Sequence, residues 1–383
     1  MANWTFVESP SPAAPLRGRA PAYRVACQSI LLLIGLVPLL APPALSTPTK
    51  HGAHVRATSH KHSRAEKILM RALLGAEKLY YSGEQTILTF NEGDGAASVT
   101  RETHLGPERY RIDYQNPPDM RGCVKVANGE SFGTYLPSTH ILLKRRMLAH
   151  TLTQREAVAQ VDRIRRYYTL VLSPHEEDLD GYKAYLLDVS PRHADRPRQR
   201  IWIDKATGFV LRRETYSPGG TQTSVTSWRD LHFYRHPNLQ ALHWIPPRGT
   251  HTENSIAEKE TRRIAEARRR AGPWARVPDH IGDGFVFESA HLVNAKGTRG
   301  LYCVYSDGLN TLSLVQLTGV RTISDDPDGD KPKPVKLNAT NAQETRRGPI
   351  RVLSWESPRH PSTVSLIGEL SEAALIGIAK TLL

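Results

Sequence analysis

The sequence predicts an α+β fold in which an antiparallel sheet covers helices on one face. A capped helix with an apolar stripe opens the first block of the chain, and short strands follow it over residues 85–144. A second capped helix over 153–164 interrupts these strands, which resume over 167–234. Helices set among meandering strands are typical of antiparallel sheets, because a parallel sheet needs a crossover between each pair of strands.

The two helix starts carry capping boxes. Ser63 precedes Glu66 by three residues, and Thr153 precedes Glu156 at the same spacing. Each pair can satisfy backbone N–H groups at the start of a helix. Apolar residues then recur at helical spacing on one face of the first helix, which we expect to pack in the core: Ile68, Leu69, Ala72, Leu73, Ala76 and Leu79.

Runs of β-branched, aromatic and alternating apolar residues predict the strands of the first block. They cover 85–90, 98–105, 109–114, 124–127, 131–136, 140–144, 167–172, 182–189, 200–204, 209–216 and 224–234. Asn128-Gly129 separates two of these strands and is a strong signal of a tight hairpin turn.

A linker over residues 246–276 separates this block from a second, smaller α+β block over 277–383. Two prolines and a glycine open the linker, and residues 255–270 predict a basic, solvated helix or a contact with an anionic surface. The second block contains strands near 285–292, 302–305, 311–317, 352–356 and 363–366, and ends in an amphipathic helix over 371–382. Residues 325–347 predict a long polar loop or insertion.

A hairpin at Tyr302–Leu314 is the most informative motif of the second block. Two apolar runs flank the turn signal Ser306-Asp307-Gly308. The hairpin contains no nucleophile paired with a base and no metal-ligand spacing. It therefore favours binding over catalysis.

Length and charge limit the function classes. The chain has 383 residues, enough for two domains, and a formal net charge of +13, which favours anionic partners. Arginines precede the apolar run 30–40, and small residues follow it up to Ser46, so residues 1–46 predict either a cleaved signal peptide or an uncleaved membrane anchor. Residues 47–62 predict a basic, His-rich tether. An exported protein has no nucleic acid partner, which leaves acidic protein segments, lipids and the membrane surface.

The sequence predicts no enzyme, cofactor or metal site. Residues 129–133 match the G-x-S-x-G pattern, but Ser131 follows a hairpin turn and continues into a strand instead of a helix. Residues 326–330 resemble part of a calcium loop without its final glutamate. Only Cys123 and Cys303 follow residue 46; an oxidising compartment permits a disulfide between them, and two free thiols are the simpler expectation.

Residues 200–214 resemble a known family. They form a predicted strand, an Asp-x-x-Thr-Gly turn at Asp204–Gly208 and a returning strand. This hairpin resembles the one in the LolA/LolB/LppX-type fold, an antiparallel half-barrel wrapped over helices that exported lipid and lipoprotein carriers use. The resemblance implies a LolA-like half-barrel over residues 63–245.

The second block separates two functions for such a chain. Residues 305–314, Trp355 and residues 364–370 are similar to the C-terminal domain of the MucB/RseB family. This resemblance implies a periplasmic regulator that binds the extracytoplasmic segment of a membrane anti-sigma factor and is released by stress-derived lipid or lipoprotein. A lipid or lipoprotein carrier of the LolA type is the alternative, and it would need only the first block.

The resemblance also yields candidate site residues. Apolar side chains expected on the concave face of the half-barrel are candidates for acyl-chain binding: Leu88, Phe90, Tyr110, Ile112, Trp202 and Leu211. Tyr305, Ser306 and Asp307 are the candidates for partner binding. Core packing for the first set and a simple turn for the second are the alternatives.

Overall fold

A computed structural model describes residues 62–75, 78–91, 94–146, 151–254, 260–295, 298–318 and 331–383. The predicted signal peptide or anchor at 1–46 lies outside these residues. So does the predicted tether at 47–62, except for His62.

Twelve strands form the first sheet. Along the chain they are β1 (Tyr80–Asn91), β2 (Asp94–Leu105), β3 (Arg109–Asn116), β4 (Val124–Asn128), β5 (Ser131–Leu136), β6 (Ile141–Arg146), β7 (Tyr168–Leu179), β8 (Tyr182–Pro191), β9 (Arg198–Asp204), β10 (Val210–Tyr216), β11 (Gln222–Tyr234) and β12 (His251–Asn254). Their order in the sheet is β12-β6-β5-β4-β3-β2-β1-β11-β10-β9-β8-β7. All pairs are antiparallel except β12 with β6, which is parallel.

Eight strands form the second sheet, and all of its pairs are antiparallel. They are β13 (His280–Ile281), β14 (Phe285–Ala295), β15 (Thr298–Ser306), β16 (Thr311–Thr318), β17 (Lys333–Leu337), β18 (Thr340–Arg347), β19 (Ile350–Glu356) and β20 (Ser362–Gly368). The order is β13-β14-β15-β16-β20-β19-β18-β17. The predicted hairpin at Tyr302–Leu314 is confirmed as β15 and β16.

Four α-helices accompany the sheets in the described part of the chain: α1 (Arg64–Gly75), α2 (Gln154–Tyr167), α3 (Ile264–Ala271) and α4 (Glu372–Leu382). Both predicted capping boxes are present. Glu66 N donates to Ser63 Oγ at 3.2 Å and Ser63 N donates to Glu66 Oε2 at 2.7 Å. Thr153 and Glu156 make the equivalent pair of bonds at α2. The helices α1 and α2 contact each other and β7.

Two predicted segments differ from the structure. Residues 255–259 of the predicted basic helix lie outside the described residues, and within 260–270 the helix begins only at Ile264, because Thr261 instead exchanges backbone hydrogen bonds with Ala290 of β14. The stretch 325–347 is not one long loop: β17 and β18 occupy 333–347, where alternating buried residues such as Val335 and Leu337 pair with the sheet. Because the exposed face of these strands is polar, the alternation of buried and exposed residues is not evident from the sequence.

The described residues thus form mainly β-structure with few helices, in two open sheets that belong to one compact unit. The core of the second sheet collects apolar side chains from the sheet, α3 and α4, including Phe285, Leu301, Leu312 and Leu375. Cys123 lies in the first part of the chain, before β4, and Cys303 lies in β15; both are buried free thiols.

Candidate functional site

A row of rings crosses one face of the first sheet. Tyr81 of β1 stacks on His104 of β2 at 5.0 Å, His104 lies parallel to Tyr110 of β3 at 6.5 Å, and Tyr110 contacts Phe132 of β5 at 6.3 Å. Ile112 lies two residues from Tyr110 on the same strand and therefore on the same face. Tyr110, Ile112 and Phe132 are half-buried. We call this surface the aromatic face.

Leu88 and Phe90 lie on the opposite face of the same sheet. Leu88 pairs with Ala97 of β2, whereas Ile112 pairs with Glu102, five residues further along that strand. Successive residues of a strand alternate between faces, so an odd separation places the two pairs on different sides. Phe90 is 37% exposed. The predicted set of six residues therefore does not line one surface.

Trp202 and Leu211 are core residues. They are 4% and 5% exposed and belong to a cluster with Tyr81, Phe209 and Leu231. The Trp202 indole N–H donates to Glu177 Oε2 at 2.6 Å. Both side chains are therefore packed in the core, and they offer no open surface to an acyl chain.

A buried carboxyl group lies on the aromatic face. Glu102 is on the same side of β2 as His104, and Thr100 Oγ1 donates to Glu102 Oε1 at 3.0 Å. Burial raises the pKa of Glu102 to about 7, while the hydrogen bond from Thr100 and the charge of Lys125 act in the opposite direction. Burial also lowers the pKa of His104. Both groups consequently favour their neutral forms, which suits an apolar surface.

The three candidate partner-binding residues are buried inside the molecule. Tyr305, Ser306 and Asp307 are 0%, 1% and 0% exposed. Tyr305 packs in the core of the second sheet, where its hydroxyl donates to Pro278 O at 3.0 Å. The Ser306 carbonyl and the Asp307 carboxylate instead meet Arg163, Tyr168 and Arg196, so the turn lies at the contact between the two sheets. A partner could touch the Asp307 side chain directly only after the two sheets had separated.

Asp307 is the centre of this inter-sheet contact. Its Oδ1 accepts hydrogen bonds from the backbone N–H groups of Leu309 at 2.9 Å and Asn310 at 2.8 Å, which shapes the turn. Its Oδ2 accepts a hydrogen bond from the Tyr168 hydroxyl at 2.6 Å and another from Arg196 Nη1 at 3.2 Å. One carboxylate therefore holds its own turn and two side chains of the first sheet region.

Arg196 is fully enclosed at this contact and is 1% exposed. Two parallel hydrogen bonds of 2.9 and 2.8 Å join its Nε and Nη2 to the Asp195 carboxylate, and Nη2 also donates to Asp283 O at 3.1 Å. Its guanidinium lies over the ring of Phe285 at 5.4 Å. A buried guanidinium is tolerated when its donors are used in this way.

Helix α2 closes against the turn of the β15–β16 hairpin. Gln160 Nε2 donates to Gly308 O at 2.8 Å. Gly308 has φ +100, and a Cβ atom there would lie 2.9 Å from Ile164 Cγ1 and 3.1 Å from Gln160 O. The position therefore requires glycine both for its backbone conformation and for the close approach of the helix.

A second ion pair lies beside the turn. Arg163 Nη1 of α2 donates to Glu288 Oε1 of β14 at 2.6 Å and to Ser306 O at 3.0 Å. Burial nevertheless raises the pKa of Glu288 to about 7, outweighing the charges of Arg163 and Arg262. Glu369 and Arg213 interact electrostatically, and burial raises the pKa of Glu369 and lowers that of Arg213 to about 10.

The inter-sheet contact is thus polar and incompletely bonded. Within the described residues, three buried oxygens there accept no hydrogen bond: Gln160 Oε1, Gln199 Oε1 and Glu288 Oε2. An unpaired buried acceptor costs about 1–3 kcal/mol. Such a surface resembles an interface between modules more closely than the apolar interior of one domain.

Comparison with known proteins identifies the first part of the chain. Residues 126–233, which run from β4 to β11, match the family model of the MucB/RseB N-terminal domain. This segment is similar to the MucB/RseB N-terminal domain. The resemblance to the MucB/RseB family that the sequence predicts is therefore confirmed. None of the curated protein sequences matches the chain.

Solved MucB structures share the fold of most of this MucB/RseB-like chain. A structure of the Pseudomonas aeruginosa MucA/MucB complex aligns with a TM-score of 0.53 and 15% identity, covering 83% of this chain and 97% of that chain. MucB in complex with MucA(peri) aligns with a TM-score of 0.53 and 16% identity over 82% and 97%. MucB alone gives a TM-score of 0.50 and 15% identity over 82% and 96%. At these identities the likeness shows a common fold.

In this MucB/RseB-like chain, the sequence did not predict which residues of the first sheet region contact the turn at Asp307. Tyr168, Arg163 and Gln160 lie in or directly after a helix whose capping box was its visible signal, and Arg196 lies in a connection without a motif. Nothing in their local sequence distinguishes them from surface residues. The family resemblance of residues 305–314 drew attention to Asp307, but not to the side chains that meet it.

Two features are absent from the residues that the structure describes. No group of three or more His, Cys, Asp or Glu side chains is placed to hold a metal ion in those segments. No helix there combines the length and apolar character needed to cross a membrane.

Proposed function

We propose that this protein is an extracytoplasmic regulator of sigma-factor signalling that binds the extracytoplasmic segment of a membrane anti-sigma factor. The observation that carries the proposal is the extent of the fold similarity to MucB, which covers 82–83% of the chain and therefore extends beyond the N-terminal domain. One of those MucB structures was solved with MucA(peri) bound. The role is one of binding, without a catalytic centre.

The inter-sheet contact favours this regulator over a carrier. A carrier of the LolA type would use the first sheet alone, and a second sheet would be free to diverge from it. Here hydrogen bonds from Tyr168 and Arg196 to Asp307 join the second sheet to the first, although they require charged groups to be buried. A binding protein that has to present two modules in a fixed relation has a reason to retain such a contact.

The remaining assignments belong to the same proposal. Residues 63–245 act as a LolA-like lipid-sensing half-barrel and 277–383 as a C-terminal domain, joined by 246–276. Residues 1–46 export the chain to the periplasm and 47–62 act as a tether. Stress-derived lipid or lipoprotein, bound on the aromatic face beside Tyr110 and Ile112, releases the anti-sigma segment.

Affinity capture from intact membranes tests the partner. The tagged full-length chain is expected to retain a one-span membrane anti-sigma factor, and a synthetic peptide of that factor's extracytoplasmic segment is expected to bind the purified chain in calorimetry. The proposal fails if no such protein is retained, or if its extracytoplasmic peptide does not bind.

A matched pair of variants tests the lipid-binding face. Ile112→Asn places an amide on the aromatic face, whereas Leu88→Asn places the same group on the opposite face of the same sheet. Binding of a fluorescent acyl chain to the full-length chain is expected to weaken at least about fivefold in the first variant and to change less than about twofold in the second, from the loss of one buried apolar side chain. Equal effects, or no binding to the original chain, would remove lipid sensing from the proposal while leaving the partner intact.

A further inference from the structure

A small pocket on the second sheet collects hydrogen-bond donors and contains no acidic lining residue. Its cavity has a volume of about 20 Å³. The walls are Trp274, Arg276, Leu314, Gln316, Ser357, Arg359, His360, Val364 and Leu382. We call it the Trp274 pocket. It lies away from the aromatic face and from the inter-sheet contact, whose residues do not line it.

The indole of Trp274 supplies a donor without an acceptor. Its Nε1 is buried and, among the described residues, has no hydrogen-bond partner. A buried N–H group without an acceptor costs about 1–3 kcal/mol, so native proteins pair nearly all of them. The guanidinium of Arg299 lies over the same ring at 5.1 Å from its centroid. The unpaired donor and the neighbouring positive charge both point to an acceptor that carries negative charge.

Arg276 is held in position at the pocket. Its backbone N donates to Gln316 Oε1 at 2.8 Å, and Gln316 Nε2 donates to Arg276 O at 2.7 Å. Its Nη1 donates to Leu382 O at 2.9 Å, which leaves other donors of the guanidinium unused. A side chain fixed in this way loses little further entropy when a ligand binds it.

Ser357, Arg359 and His360 contribute further polar groups to the lining. Arg359 is exposed, and its backbone N donates to Ser357 Oγ at 3.3 Å, which leaves the Ser357 hydroxyl hydrogen free to donate outward. His360 adds a ring nitrogen. In the described segments, Arg276, Arg299 and Arg359 form no ion pair with a carboxylate, although 38 Asp and Glu residues occur in the chain. Leu314 and Val364 add apolar side chains to the lining.

We propose that the Trp274 pocket binds a phosphate group. Its donors come from several side chains and directions, and four tetrahedral oxygens can accept from all of them, whereas a carboxylate has two coplanar oxygens. A volume of about 20 Å³ admits one oxygen-sized group, so one phosphate oxygen accepts from Trp274 Nε1 while the others meet Arg276 and Arg359. The phosphate is that of an anionic phospholipid headgroup or of a free phosphorylated solute. The inference does not depend on the anti-sigma partner.

Titration of the full-length chain with inorganic phosphate, followed by calorimetry, tests the site. Arg359→Gln is expected to weaken binding about tenfold through the loss of a charge-assisted hydrogen bond, and Trp274→Phe several-fold through the loss of the indole N–H alone. Arg269→Gln changes an exposed arginine of α3 that does not line the pocket; it removes the same charge and is expected to change binding less than twofold.

Vesicles separate the two sources of phosphate. Flotation with phosphatidylcholine vesicles, with and without phosphatidylglycerol, identifies a headgroup ligand if Arg359→Gln abolishes binding to the anionic vesicles and inorganic phosphate competes with them. Phosphate binding without vesicle binding identifies a free solute. Failure of phosphate and vesicles to bind, equal losses in Arg359→Gln and Arg269→Gln, or binding of an aspartate-rich peptide in place of phosphate would each overturn the proposal.

Discussion

The hydroxyl of Tyr168 donates a 2.6 Å hydrogen bond to the carboxylate of Asp307, 139 residues away along the chain. Tyr168 begins β7 in the first sheet, and Asp307 begins the turn between β15 and β16 in the second. Both side chains are fully buried. Asn310 Nδ2 donates to the same hydroxyl at 2.6 Å, so Tyr168 connects two residues of the turn. The turn recognised in the sequence therefore serves as the attachment point of the second sheet.

Removing the Tyr168 hydroxyl is expected to weaken this attachment. Tyr168→Phe deletes a hydrogen bond to a charged acceptor and leaves Asn310 without an acceptor, so we expect a loss of about 2 kcal/mol in the free energy of unfolding, measured by urea denaturation. Tyr182→Phe is the control, because that hydroxyl donates at 2.6 Å to the uncharged carbonyl of Leu231 within the first sheet. A loss for Tyr168→Phe no larger than for the control would contradict the role assigned to Asp307.

Adding a methyl group at Gly308 is expected to disturb the packing of α2 against the β15–β16 turn. A Cβ there meets Ile164 Cγ1 at 2.9 Å and Gln160 O at 3.1 Å, whereas a Cβ at Gly220 has no atom within 4 Å. Both glycines have positive φ, +100 and +85. The conformational strain of Gly308→Ala and Gly220→Ala is therefore similar, and overpacking should add about 1–3 kcal/mol at Gly308 alone.

Stability and binding of the anti-sigma peptide are both measured for Gly308→Ala and Gly220→Ala. Gly308→Ala should unfold at lower urea concentration than Gly220→Ala and should bind the anti-sigma peptide more weakly. If the two variants unfold at the same urea concentration, helix α2 does not depend on the close approach at Gly308.

Stability is expected to fall as the pH rises from about 5 to 8, partly because of Glu288. Burial raises the pKa of Glu288 in the folded protein to about 7 from an ordinary value of 4.5. The folded state consequently holds its proton more tightly than the unfolded state. The resulting stabilisation is complete below pH 4.5 and is lost as the pH rises through about 7.

Glu288→Gln tests this dependence, because glutamine cannot release the proton. Between pH 5 and 8 the stability of Glu288→Gln relative to the original chain should rise by up to about 3 kcal/mol, following the raised pKa. Glu130→Gln, at an exposed turn, serves as the control for the loss of one carboxylate. A relative stability independent of pH would mean that Arg163 compensates the burial of Glu288.

Both cysteines of the described segments are expected to resist alkylation in the native protein. Burial raises the pKa of the Cys123 thiol to about 11 and raises that of Cys303 further, and only the thiolate reacts. In a Cys27→Ser background at pH 8, iodoacetamide should label neither thiol until denaturant is added, and mass spectrometry should then find two labels. Rapid labelling before denaturation would contradict the burial of these thiols.

Local sequence determined a large part of the secondary structure. The capping boxes at Ser63 and Thr153, the Asn128-Gly129 turn and the Asp204–Gly208 turn all form as predicted, because a side chain and backbone groups within a few residues complete each of them. The segment 325–347 was misjudged because its strands are short, largely polar on one face and stabilised by neighbours in the sheet.

The candidate site was predicted less well, for a geometric reason. The sequence identified apolar strand residues, but the face each one occupies depends on register, which long-range pairing sets. The β2 partners of Leu88 and Ile112 are Ala97 and Glu102, which are five residues apart. This odd separation places Leu88 and Ile112 on opposite faces of the sheet. Likewise, the sequence predicted the β15–β16 turn but not its burial beneath α2.

The sequence by itself determined the antiparallel strand pattern, the helix starts, the hairpin at Tyr302–Leu314 and the resemblance to MucB/RseB. Each follows from local hydrogen bonding, hydrophobic periodicity or a contiguous motif. Only the tertiary structure decided that Asp307 meets Tyr168 and Arg196, that Leu88 lies on the face opposite Ile112, and that Arg359 lines the same pocket as Trp274. Those relations join residues far apart in the chain, and their free energy depends on burial that no local segment specifies.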